Sequence, residues 1–234
     1  MPSNRTLHFL SLLAVLAMLG AAAMIFLYAP QDALQGPVQR IFYLHVSAAI
    51  AGFACFGLVV GGSVAYLWKG SVRGDRVARS AALVGLVMLT VNIFMGIVWA
   101  KPIWNWDPAQ TWDAKFTTTV VLWLIYGGYL LIRRFAAAGR AQMRLAAIVG
   151  IFGFADVPIV YESVNWWRTL HPGPVLVTAG GPAMPAPMLQ TFVVTQLAVL
   201  FLTGVLVAIR YRIEVLREEQ ARRQQTAMLE LAAE

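Results

Sequence analysis

Six apolar runs of about the length a bilayer crossing needs constrain this chain more than any other feature: Leu7–Tyr28, Ile41–Trp68, Ala81–Ala100, Thr117–Ile132, Leu145–Tyr161 and Leu189–Ile209. Inside hydrocarbon, each backbone N–H and C=O must be satisfied within the protein, and for such runs the helix is the solution. The expected fold class is therefore an all-α polytopic membrane protein, a bundle of six transmembrane helices. Composition agrees, since 12% charged residues cannot cover the surface of a soluble domain of 234 residues. Residues 1–209 are read as one six-helix domain and residues 210–234 as a charged cytoplasmic tail, helical or disordered. Gly20 to Ala23 imitates a signal-peptidase site. The run around it exceeds a signal-peptide core, so an uncleaved first helix is expected.

The basic residues fall unevenly between the runs. Arg5, Lys69, Arg73, Arg76, Arg79, Arg133, Arg134, Arg140, Arg144, Arg210, Arg212, Arg217, Arg222 and Arg223 make fourteen on one side; Arg40, Lys101, Lys115 and Arg168 make four on the other. Cytoplasmic loops carry the Lys/Arg excess, which puts both termini in the cytoplasm. The formal charge of +7 is spread over short loops and the tail rather than gathered as a nucleic-acid stripe, so no nucleic-acid partner is expected and the lipid bilayer is. The single cysteine, Cys55, lies within an apolar run. It excludes a disulfide framework and a Cys-x-x-Cys-His site for covalent haem.

The outer face then holds the reactive residues, in loops 29–45, 99–117 and 162–188. Trp99, Trp104, Trp106 and Trp112 are crowded between the third and fourth runs, interleaved with Lys101, Asp107, Asp113 and Lys115. Pro102 and Pro108 argue against a continuous helix there, so an irregular or short-helical surface segment is expected. Membrane anchoring accounts for one or two tryptophans; this density suits a wall for a large, flat, apolar ligand. His45 stands at the outer mouth of the second run. His171 closes the segment Trp166-Trp167-Arg168-Thr169-Leu170-His171. If residues 162–171 are helical, Trp167 and His171 share a face, with Arg168 beside them.

Two histidines from distant parts of the chain, with indoles between them, suit a low-spin haem held by two imidazoles. His45 and His171 are the candidate axial ligands of the haem iron. Trp104, Trp106, Trp112, Asp113, Trp166 and Trp167 are candidates for the wall and edge, and Arg40, Lys101, Lys115 and Arg168 for the propionates. His8, with no aromatic cluster, is given no role. A zinc site completed by Asp107 or Asp113 is the weaker rival, because two histidines fall short of the usual ligand number. Asp156 and Glu162, near the outer end of the fifth run, are either functional groups or merely solvated. A membrane cytochrome b moving electrons remains the alternative function, although its histidines would be expected at mid-helix.

Arg40-Ile-Phe-Tyr-Leu-His45-Val, the Trp99–Thr117 loop and Trp166 to His171 together resemble the CcmC-type haem-handling family of bacterial cytochrome c maturation, the haem exporter protein C family. The likeness covers the six-helix layout almost end to end. The family's "WWD" loop typically runs Trp-Gly-x-Trp-Trp-x-Trp-Asp-Ala-Arg-Leu-Thr; Trp112-Asp113-Ala114-Lys115-Phe116-Thr117 matches its end, with lysine for arginine. The front departs, for Trp104-Asn105-Trp106-Asp107-Pro108 lacks the paired tryptophans. The resemblance implies a multi-pass protein of the bacterial inner membrane, not an enzyme, that holds haem b non-covalently at the outer face. It implies presentation to a periplasmic haem chaperone, with ATP-binding-cassette transporter subunits and a small membrane subunit as further partners.

Overall fold

The protein is represented by a computed structural model describing residues 3–107, 112–173, 180–181 and 183–231. Helix α1 (Asn4–Ala23) starts at Ser3, whose hydroxyl accepts from the Thr6 amide, and runs on in wider π-helical turns to Tyr28. A short 3-10 turn over Pro37–Arg40 leads into α2 (Ile41–Lys69), which Gly70 ends in the left-handed conformation. Then come α3 (Val72–Trp104), α4 (Ala114–Phe135), α5 (Arg140–Phe154), α6 (Asp156–Trp166) and α7 (Ala186–Leu231). With α5 and α6 counted as one crossing, six segments among the described residues are long and apolar enough to span a membrane.

The helices are longer than the apolar runs, and several expected loops shrink accordingly. Residues 69–79 turn within Gly70 and Ser71, and the rest are the first turns of α3, capped by the Ser71 side chain. Pro102 does not stop α3. Its missing N–H forfeits one bond to the Val98 carbonyl so near the end that the helix continues to Trp104, where Asn105 (φ 50°) closes it in a left-handed turn that asparagine tolerates. The fifth crossing is broken at Ala155 instead, because Pro158 lacks the amide that would bond the Phe154 carbonyl and so suits only the first turn of a new helix. Beyond Ile209 the chain stays helical, making α7 about 70 Å long at 1.5 Å per residue, roughly twice a hydrocarbon core.

Helices α2 and α3 lie closest, and glycines let them. A Cβ on Gly62 would come within 2.4 Å of the Gly74 carbonyl oxygen, and one on Gly74 within 2.7 Å of the Gly62 oxygen. Further along, a Cβ on Gly85 would meet Cys55 and Phe56 at 2.8 Å. Such backbone contact is how membrane helices gain packing where the hydrophobic effect offers none. The antiparallel register so fixed carries His45 of α2 opposite Asn92 and Gly96 of α3. Phe56 stacks flat on Tyr126 of α4 at 3.6 Å, and Tyr126 donates to the Gly150 carbonyl, tying α5 to the core.

The end of the bundle away from the tryptophan loop is pinned by charge. Arg133 makes a bidentate pair with Asp75, both buried, at 2.7 and 2.5 Å. Glu214, only 2% exposed, meets Arg79 at 2.9 Å and also pairs with Arg210, while Arg76 grips Glu218. These bonds fix where α7 leaves the bundle.

Candidate ligand-binding site

At the tryptophan-loop end the helices diverge around a cavity of about 510 Å³, within the range of small-molecule and cofactor sites. Both His45 and His171 line it. Residues 162–171 are not one helix: α6 stops at Trp166, Trp167 is extended, and His171 arrives on an irregular stretch. The shared helical face expected of Trp167 and His171 is therefore absent, and the loop rather than helical spacing brings His171 to the cavity.

The two histidines are prepared alike. His45 Nδ1 lies 3.0 Å from the Asn92 carbonyl oxygen, and His171 Nδ1 lies 2.8 Å from the Pro172 carbonyl oxygen. A carbonyl only accepts, so each of these bonds needs a hydrogen on Nδ1 and leaves Nε2 its lone pair. At His45 the Asn92 side-chain nitrogen, a donor, also lies 3.2 Å from Nδ1 and 3.4 Å from Nε2. Burial holds the His171 imidazole below the ordinary histidine range. The ring is thus neutral at pH 7, the state that ligates iron.

Asp113 joins the tryptophan loop to the His171 stretch. Its Oδ1 caps α4, accepting from the Lys115 and Phe116 amides at 2.9 and 3.2 Å. Its Oδ2 accepts from the Thr169 hydroxyl at 2.5 Å and the Leu170 amide at 2.9 Å, and Thr169 Oγ1 in turn accepts from the His171 amide. The carboxylate borders the cavity, but both oxygens are engaged in holding two loops together. It is a tie, where the sequence suggested a contact at a ligand's edge.

The indoles divide into two sets. Trp104 and Trp106 line the cavity with Trp99, Phe42 and Phe116. Trp99 is buried, donates to Gln35 Oε1 at 2.9 Å and meets the His45 ring edge-on at 5.7 Å. Trp106 is buried too, and its Nε1 has no hydrogen-bond partner among the described residues. Trp112, Trp166 and Trp167 do not line the cavity and are 68%, 58% and 49% exposed. Their place is the surface, where tryptophan anchors a protein at the bilayer interface. The cavity itself is lined by Trp99, Phe42 and Phe116 beside Trp104 and Trp106.

Of the four candidate cations only Lys115 borders the cavity; its Nζ donates to the Val160 carbonyl at 2.7 Å, leaving two of three donors. Lys101 and Arg168 are exposed and outside the lining, and Arg40 lies over the Phe26 ring. Polar residues that the sequence did not single out for the site, Asp32, Gln35, Gln39 and Asn92, border the cavity instead. A polar residue in an otherwise apolar run was the available signal for Asn92. The turn residues gave none. Among the described residues no cluster of three or more His, Cys, Asp or Glu is placed to hold a metal ion. Pro108 to Thr111 of the tryptophan loop lie outside the described residues.

The profile of the family described as "Heme exporter protein C" matches residues 2–226. The chain belongs to that family. Relatives called "Heme exporter protein C" include one from Haemophilus influenzae, 30% identical over 83% of this chain and 78% of that protein. Another, from Escherichia coli K12, is 33% identical over 69% of this chain and 65% of its own length. A "putative cytochrome c biosynthesis ccmC-like mitochondrial protein" of Marchantia polymorpha is 31% identical over 76% of this chain and 74% of its own. As a haem exporter protein C family member with six membrane-spanning segments, the chain is a multi-pass protein of the bacterial inner membrane. Its role lies in haem export for cytochrome c maturation, and it is a haem-delivery component rather than an enzyme.

Proposed function

We propose that this chain binds one b-type haem non-covalently in the cavity between α2, α3, α4 and the His171 stretch, with His45 and His171 as axial ligands. The observation carrying this reading is that both histidines line one cavity, each with Nδ1 within hydrogen-bond distance of a backbone carbonyl, an arrangement that turns Nε2 to ligation. The residues present fit the group. Indole and phenyl rings supply flat apolar walls, and Trp106 offers an unspent buried N–H. Lys115, at the cavity's border, has two further donors that would serve a propionate. Haem bound there supplies no chemistry of its own; it is cargo, and the protein's residues hold, orient and shield it.

With fourteen basic residues at one end of the bundle and four at the other, the cavity end faces the periplasm and both termini face the cytoplasm. The cargo is then passed to a periplasmic haem chaperone, in a complex with ATP-binding-cassette subunits and a small membrane subunit. The tail helix beyond Ile209 stands free of the bilayer on the cytoplasmic side. Purified protein should show a haem absorption spectrum whose colour acidified organic solvent removes completely. A colourless protein, or haem that stays on the polypeptide, would overturn the proposal.

A further inference from the structure

His45 lies against one face of α3 on which Asn92, Gly96 and Trp99 recur at helical spacing. The Asn92 carbonyl faces its usual partner, the amide of residue 96 one turn on, and has a second lone pair for the His45 Nδ1–H at 3.0 Å. Residue 96 decides whether an imidazole reaches that carbonyl. A Cβ there would stand 2.9 Å from His45 Cε1 and 3.4 Å from Nδ1, too close for the ring to stay where it is. The Asn92 side chain completes the seat: Nδ2 donates to the His45 backbone carbonyl at 3.0 Å, clasping α2 to α3, and stands 3.2 Å from the ring's Nδ1 and 3.4 Å from Nε2. A donation from it to Nδ1 would favour the opposite tautomer, so the hydrogen's place is the quantity to be measured. Asn92 is 6% exposed in the middle of a membrane-spanning helix, a costly place for an amide unless it has a task.

We infer that Gly96 and Asn92 are positioning residues that hold His45 with Nδ1 protonated against an α3 carbonyl and Nε2 as the iron-ligating nitrogen. The inference rests on the haem reading above but is separable from it, because the seat exists in the protein alone. A bonded Nδ1–H makes an imidazole a stronger donor to iron and favours the ferric state. Loosening the seat raises the haem potential.

The test has two readouts on the full chain in lipid nanodiscs. With three histidines in the chain, ¹⁵N-histidine NMR of haem-free protein at pH 8 resolves each ring, and His45→Gln assigns its signals. Wild type should show His45 protonated on Nδ1; Gly96→Ala should give mixed tautomers or the Nε2–H form, and Asn92→Leu a smaller shift the same way. In the haem-loaded protein both variants should keep haem but with a raised midpoint potential. Gly61→Ala on α2, where a Cβ meets nothing within 4 Å, should match wild type in both readouts. A wild-type His45 protonated on Nε2 overturns the inference, as do two variants that keep the wild-type tautomer and potential. Should Gly96→Ala fail to accumulate, the wild-type tautomer and Asn92→Leu decide. Haem-free wild-type preparations would count against the haem reading instead, since the tautomer is read without haem.

Discussion

Replacing Asp113 by Asn changes one atom and separates the carboxylate's two tasks. An asparagine oxygen in the Oδ1 position still caps α4, but the amide nitrogen in the Oδ2 position cannot accept from Thr169 or from the Leu170 amide. Hydrogen bonds to a charged group contribute about 1.5–3 kcal/mol each, so the tie to the His171 stretch stands at about 3–6 kcal/mol before water replaces anything. Groups freed by an opening loop find water, so the realised cost is closer to one bond. About 2 kcal/mol corresponds to roughly thirtyfold in the population of the closed stretch. Hydrogen exchange at the Leu170 amide should speed up by that order, and haem should bind more weakly by up to the same factor. Asp113→Ala should cost about a further 1 kcal/mol, the usual loss for an N-cap. An Asn variant indistinguishable from wild type would refute the tie. One as damaged as Ala would assign the whole effect to the tie and leave nothing to the cap.

Trp106→Ala should weaken haem binding by about fivefold or more in a haem titration, since stacking on an aromatic ring is worth about 1–3 kcal/mol by analogy with nucleic-acid bases. Trp112→Ala, at an exposed position, should change it by less than about twofold on the same grounds; the reverse order would contradict the division of the indoles. Reporter fusions at Gly74, Gly139 and the C-terminus should behave as cytoplasmic and those near Pro108 and Gly180 as exported; a cytoplasmic signal at Pro108 would invert the topology. The lowered pKa of His171 means the unfolded chain takes up a proton first as pH falls below about 6.5. Haem-free protein should therefore lose stability in that direction. His171→Gln should lose less over the same interval, measured by thermal unfolding, and an equal loss would contradict the cause.

The six crossings were legible because a backbone in lipid has few solutions, and hydropathy alone reports them. Helix ends were less so. Pro102 argues against a helix and Pro158 falls inside the fifth apolar run, yet the first lies within a helix's last turn and the second in the first turn of a new helix, a difference set by how many bonds remain to be lost. His45 and His171 stood out as rare residues beside aromatic clusters, and the structure brings them to one cavity. The tryptophans misled in part, because indole serves equally as ligand wall and interfacial anchor. Only burial separates Trp106 from Trp112. Asp113 was singled out by its motif, but its partners lie more than fifty residues away in sequence, and no local pattern encodes such a contact. Gly96 carried no signal at all, since its meaning is the imidazole packed against it from another helix.

The central claim, that one haem is held between His45 and His171, is tested most directly by absorption and electron paramagnetic resonance spectra of His45→Ala and His171→Ala purified beside wild type. Wild type should show the low-spin signature of two imidazoles. Each variant should lose it, bind less haem, and recover a low-spin spectrum when free imidazole is added to the vacated position. Variants that retain the wild-type spectrum without added imidazole would contradict the ligand assignment and with it the proposed site.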